Sequence, residues 1–303
     1  MTPTQLPYFY SLAIDTVKMY AGKWTILLKI VLVFYCLMIG LSLSGFIFAA
    51  TVLMPIFENK IFFWSVSTIL AVLFFLLSTL LSSWLQAAAI LALQDKKNEL
   101  GLRALLRSAK KFALPVFGVN IFTGLAVMSG LLFFVVFGVI FSVWFSLTKY
   151  CVVINNKRGI AALIESREYC RGFFWSILLL YLLGFLSLSL VDAIFQTLKH
   201  VPVGGSILFL IASAAMWPLN TIYPYLIFNN LKNIKGELPE AAPQNKKRAL
   251  TALIILTLFA ILTGVAILLR YSVPISDYLK KNLPVNLQDL KMPAPLPASN
   301  NAL

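Results

Sequence analysis

Seven apolar stretches alternate with short connectors, and the connectors hold most of the basic residues. An α-helix rises ~1.5 Å per residue, so about 20 apolar residues cross the ~30 Å of bilayer hydrocarbon. A soluble chain of 303 residues would have to hide all seven runs in one core. Composition opposes that. The chain is 60% hydrophobic and 12% charged, whereas a soluble domain has about 45–50% apolar and about 25% charged residues. The pattern predicts an all-α, polytopic transmembrane helix bundle: a six-span core, a seventh C-terminal span, and amphipathic surface helices on the cytoplasmic side.

Residues 1–23 include a Tyr-rich mix of polar and apolar positions, read as an interfacial helix. The six spans of the core domain, residues 24–231, are placed at about 24–54, 61–93, 112–132, 135–154, 172–195 and 206–228. Residues 112–154 are nearly uncharged before Lys149 and have basic residues on both flanks. Flanks on the same side require an even number of crossings, so the stretch divides into two spans with a turn near Leu131–Gly138. A basic linker, residues 232–248, leads to the seventh span, 249–269, and then to a Pro-containing tail, 270–303.

Two connectors are read as amphipathic helices lying on the membrane. In the first, residues 95–111, Leu102, Leu105, Leu106 and Ala109 share one face, and Arg103, Arg107 and Lys110 share the other. In the second, Ile160, Leu163 and Ile164 are expected to face the membrane, with Glu165, Glu168 and Arg171 facing water. On this topology 18 of the 25 Lys and Arg residues fall on one side. The basic side is expected to be cytoplasmic, which puts the N-terminus inside and the C-terminal tail outside. The net charge of +14 then reflects contact with anionic headgroups rather than nucleic acid, because the cations form no continuous groove. Arg103, Arg107, Lys110, Lys111, Lys157, Arg158 and Arg171 are the expected headgroup contacts.

Catalytic constellations are sparse. One histidine, His200, leaves no histidine pair, and neither a phosphate-binding glycine loop nor a GxSxG motif occurs. No catalytic, metal or cofactor residues are assigned, and no enzyme activity is expected. The three cysteines lack a CxxC spacing. They are read as two small buried hydrophobes, Cys36 and Cys151, and one interfacial thiol, Cys170. Charges inside spans and breaks in helices are the usual pointers to a substrate path. Lys29 lies in the first span, close enough to snorkel to the cytoplasmic surface, and Asp192 lies near the outer end of the fifth, within reach of headgroups or Lys199. The sixth contains Pro218 and Pro224, which bracket Asn220. Two prolines that close each remove a backbone donor and kink the helix. The kink is either structural or part of a ligand site, with Asn220 answering a freed carbonyl or contacting a ligand.

The segment CVVINNKRGIAALIESREYCRGFFWSILLLYL, residues 151–182, carries a resemblance. Ala162, Leu163, Ser166, Gly172, Phe173 and Trp175 match the joint between two membrane halves in polytopic bacterial proteins similar to the membrane domain of glycerophosphoryl diester phosphodiesterases. The close of the sixth span, from Pro224 to Leu231, is similar to the last helix of that family. The resemblance spans residues 10–235 and implies a six-helix core in a bacterial cell membrane without the catalytic barrel. The hairpin near Phe137-Gly138 lacks the expected proline. The leading expectation is a non-enzymatic scaffold or regulatory partner contacting membrane lipids or other membrane proteins. The alternative is a transporter or lipid-handling protein that uses the kinked sixth helix.

Overall fold

The computed structural model describes residues 6–48, 60–95, 100–197 and 205–239, together with five helical positions between 251 and 263. The chain divides into two units, residues 1–257 and 258–303. The second is described only at Leu258, Leu262 and Thr263, all helical. The seventh span, the tail and most of the basic linker, as well as Lys199 and His200, therefore lie outside the described residues or are touched only at isolated positions.

The first unit is helical, with no strand among the described residues. Its helices are α1 (Phe9–Phe48), α2 (Lys60–Gln94), α3 (Leu102–Phe133), α4 (Val135–Phe145), α5 (Thr148–Ile154), α6 (Ile160–Cys170), α7 (Phe174–Gln196), α8 (Gly205–Met216) and α9 (Leu219–Lys235). Five described segments are long and apolar enough to cross a membrane: α1, most of α2 and of α3, the α4–α5 pair, and α7.

The interfacial helix and the first span are one element. Helix α1 passes through Lys23 without a break, and that charge has partners at the end of α2. The Lys23 ammonium donates to the carbonyls of Ala92, at 2.9 Å, and Asp95 at the C-terminal end of α2. A cation there answers carbonyls that the helix leaves unsatisfied.

The first surface helix is likewise the opening of α3. Leu105 and Ala109 are buried, as are Phe112, Val116 and Val119 on the same stripe, so the spacing of 3 and 4 continues through the expected junction. That stripe meets protein. The Trp84 indole N–H of α2 donates to the Leu106 carbonyl at 2.9 Å, and Asn120 Nδ2 donates to Ser83 Oγ at 3.1 Å. Ala87, Ala88, Ala89 and Ala92 are all buried and permit close approach on the α2 side.

Helix α6 departs further from the expectation. Its buried residues include Glu165 together with Ala162, Leu163, Ser166, Tyr169 and Cys170. Glu165 therefore faces the bundle rather than water. Ser166 Oγ donates to the Trp144 carbonyl at 2.6 Å, and the Arg167 guanidinium lies 4.8 Å from the Trp144 ring centroid. These bonds hold α6 against α4.

The turn between α3 and α4 falls at Phe134, whose extended backbone separates the helices. Two glycines take the place of a proline there. A Cβ on Gly130 would stand 2.8 Å from the Gly138 backbone nitrogen, and one on Gly138 would stand 2.5 Å from the Leu131 side chain. The sixth expected span is two helices, α8 and α9, which meet at Trp217-Pro218.

Burial is concentrated at one end. The core includes Leu12, Leu27 and Ile30 of α1, Leu85 to Leu93 of α2, Leu105 to Val119 of α3, and Ile222 to Leu231 of α9. Exposed large apolar side chains gather instead at residues 39–48, 69–77, 128–137 and 182–194. Because α1 and α2 run antiparallel, their exposed sections, 39–48 and 69–77, lie together: a Cβ on Gly45 would lie 3.9 Å from the Phe74 ring.

Candidate functional site

A cleft of about 700 Å³ lies between α7, α8, α9 and the middle of α1. The break between α8 and α9 opens it. Pro218 occupies the turn and caps α9 with no side-chain hydrogen bond. Pro224 lies within α9, where its missing N–H leaves the Asn220 carbonyl without its helical donor. Trp217, in the turn itself, stacks on Phe34 of α1 with ring centroids 6.1 Å apart.

The cleft unites three of the residues singled out in the sequence: Asp192, Asn220 and Pro224. Pro218 is buried behind the lining. Lys29 is elsewhere, exposed beside a smaller hollow shared with Lys23 and Asp95. Asp192 Oδ2 accepts a hydrogen bond from Gln196 Nε2 at 3.0 Å, one turn further along α7. Asn220 is exposed, and no hydrogen bond from its side chain occurs among the described residues, so it leaves the freed carbonyls unanswered.

The walls are held by tight packing. Tyr223 donates through its hydroxyl to the Leu180 carbonyl at 2.7 Å. Its ring lies against Gly184, where an added Cβ would come within 2.9 Å of Cε1. Two further polar groups line the cavity. Ser213 Oγ is buried with no hydrogen-bond partner. The Tyr181 hydroxyl, beside Ser146, makes no hydrogen bond of normal geometry. Neither stood out in the sequence, since an isolated Ser or Tyr in an apolar run is common. The Asp192–Gln196 pair carried a readable signal in its i, i+4 spacing.

The expected headgroup residues lie apart from the cleft. Arg103, Arg107, Lys110 and Lys111 are exposed on the first turns of α3. Lys157 and Arg158 occupy the α5–α6 turn, where Lys157 is half-buried and Arg158 exposed. Arg171 follows α6, is largely exposed, and pairs with Glu168 at 3.6 Å.

Near that turn lies a polar cluster absent from the sequence expectations. Lys232 of α9 donates to Asn155 Oδ1 at 2.7 Å. Asn155 Nδ2 donates to Glu165 Oε1 at 2.8 Å, while Glu165 Oε2 is buried without a partner. Burial raises the Glu165 carboxyl above its ordinary range, against the opposing pull of Asn155, Lys157 and Lys232. Lys235 donates to the carbonyls of Glu168, at 2.5 Å, and Arg171, at 2.6 Å, closing the end of α6. Cys170 is not interfacial: its thiol is buried and donates to the Val143 carbonyl at 3.3 Å. Burial pushes that thiol up to about 12, which leaves little thiolate for reaction at neutral pH. Cys36 is exposed on α1, whereas Cys151 is buried.

Among the described residues no group of three or more His, Cys, Asp or Glu side chains is gathered in metal-binding geometry. No family model, curated protein or solved structure matches this chain. The similarity seen at residues 151–182 and 224–231 therefore has no support from these comparisons.

Proposed function

We propose that the protein is a non-enzymatic, multi-pass membrane protein that holds a lipid-like amphiphile in the cleft at the α8–α9 break. The observation carrying this reading is the convergence of Asp192, Asn220 and Pro224 on one open cavity beside a helix interruption. Interrupted helices expose backbone and polar side chains at membrane depth only where these line a cavity or are buried in protein. The lining also has two characters, with Asp192, Gln196 and Ser213 set among Phe185, Leu188 and Trp217. An amphiphile matches both.

In this reading α8 and α9 together form the sixth span, a seventh follows, and the basic ends of the helices face the cytoplasm of a bacterial cell. The exposed cations of α3 and the α5–α6 turn then meet anionic headgroups, at about 1 kcal/mol per residue near the surface. The scaffold reading, a regulatory partner contacting lipid or other membrane proteins, would instead use the exposed apolar residues of 182–194 as a contact surface.

The two readings separate in one experiment. Protein extracted in mild detergent is analysed by native mass spectrometry. Wild type is expected to retain a lipid-sized adduct. Ser189→Trp, which fills the cleft, loses it, and Leu190→Trp, on the exposed apolar face next to it, keeps it. Equal retention by all three proteins would contradict the cleft assignment. A copurifying protein in place of lipid would favour the scaffold.

A further inference from the structure

We infer that the cleft selects amphiphiles bearing a primary ammonium headgroup. This inference rests on the amphiphile reading and adds the chemistry of the head. Among the described lining residues Asp192 is the one acidic side chain, and no Lys, Arg or His lines the cavity with it. An anionic head would meet that carboxylate with no compensating cation among the described lining residues. Gln196 takes up Oδ2 of Asp192, which leaves Oδ1 available to a donor. Ser213 Oγ is buried, unpartnered and able to accept.

The surrounding rings act in the same direction. Tyr35, Trp217 and Phe185 line the cleft, and the Phe34–Trp217 stack fixes the indole. An aromatic face attracts a cation, most strongly where water is excluded. A primary ammonium supplies three donors and a charge that suits both the carboxylate and the rings, with Ser213 Oγ and the side-chain oxygen of Asn220 as further acceptors in the lining. Its alkyl chain would lie along Leu188 and Phe185, toward the exposed apolar surface of α7.

The test uses full-length protein in lipid nanodiscs. Three dodecyl probes carry a diazirine on the chain and differ only in the head: primary ammonium, hydroxyl or sulfonate. Cross-links are mapped by peptide mass spectrometry. The ammonium probe is expected to label the 181–196 and 213–225 segments at about tenfold lower concentration than the hydroxyl probe, a size of effect in keeping with one charge-assisted contact plus cation–π attraction. Asp192→Asn should abolish that preference, with a thermal midpoint matching wild type as the folding control. Asp192→Glu should restore the preference. Equal labelling by all three heads would overturn the headgroup assignment and leave the amphiphile reading standing. Absence of cleft labelling by every probe would overturn both.

Discussion

Lys232, Asn155 and Glu165 form a chain of hydrogen bonds that ties the end of α9 to the α5–α6 turn. The Glu165 carboxyl is raised, so the folded state binds its proton more tightly than the unfolded chain does. The stability this confers is fully present below the ordinary carboxylate range and is lost as pH rises through the raised value. Glu165→Gln keeps an acceptor for Asn155 and removes the charge. Its thermal midpoint relative to wild type should therefore climb as pH rises from 4 to 7, and a constant difference across that range would refute the assignment. Gly184 offers a second test. With Tyr223 Cε1 only 2.9 Å from any added Cβ, Gly184→Ala should cost about 1–3 kcal/mol by overpacking. Denaturation of the purified variant measures it, and Tyr223→Leu in the same background should recover part of the loss. The rule that charged residues face water placed Glu165 on the wrong side of α6. A chain that leaves a carboxyl in a bundle must supply partners, and those partners lie 10 and 67 residues away in the sequence.

At the scale of elements, periodicity was readable where one stripe ran unbroken and misleading where charges interrupted it. The spacing of Leu102, Leu105 and Ala109 revealed a buried face but not its partner, because a helix packed on α2 and one lying on lipid share the same pattern. Lys23 and the Lys110-Lys111 pair suggested boundaries that α1 and α3 pass through, since a charge at the rim of a bundle need not end a helix. The α3–α4 break at Phe134 lies inside the interval that the basic flanks required. Its glycines had a packing role that spacing alone did not show. Gly130→Val should splay this hairpin, and faster hydrogen exchange in 126–141 would report it. The α8–α9 interruption was legible from Pro218 and Pro224, while the cavity beside it depended on Tyr35 and Asp192, from other helices. Pro218→Ala restores a backbone donor at the break. It should slow hydrogen exchange at 214–222 and reduce lipid retention; unchanged retention with slowed exchange would separate the break from the site.

At the scale of the whole first unit, the densely packed core includes the basic sections of the helices, and the loosely packed sections expose apolar side chains. Lipid solvates an apolar surface as well as protein does, so a membrane bundle gains little by closing that end. The proposed orientation places the packed, basic sections at the cytoplasm. A reporter active only outside the cytoplasm should be silent when fused after Lys235 and active when fused after Thr197; the reverse would invert the topology. The cleft lies toward the loosely packed sections, which under the proposed function admit an amphiphile from the bilayer. An experimental density map of the protein in a lipid nanodisc tests the occupancy of the cleft without a probe or a variant. Elongated density is expected in the cleft, running from Asp192 past Trp217 along α7. A cleft filled by its own side chains, or one holding no more lipid density than the apolar face of residues 69–77, would contradict the proposed function.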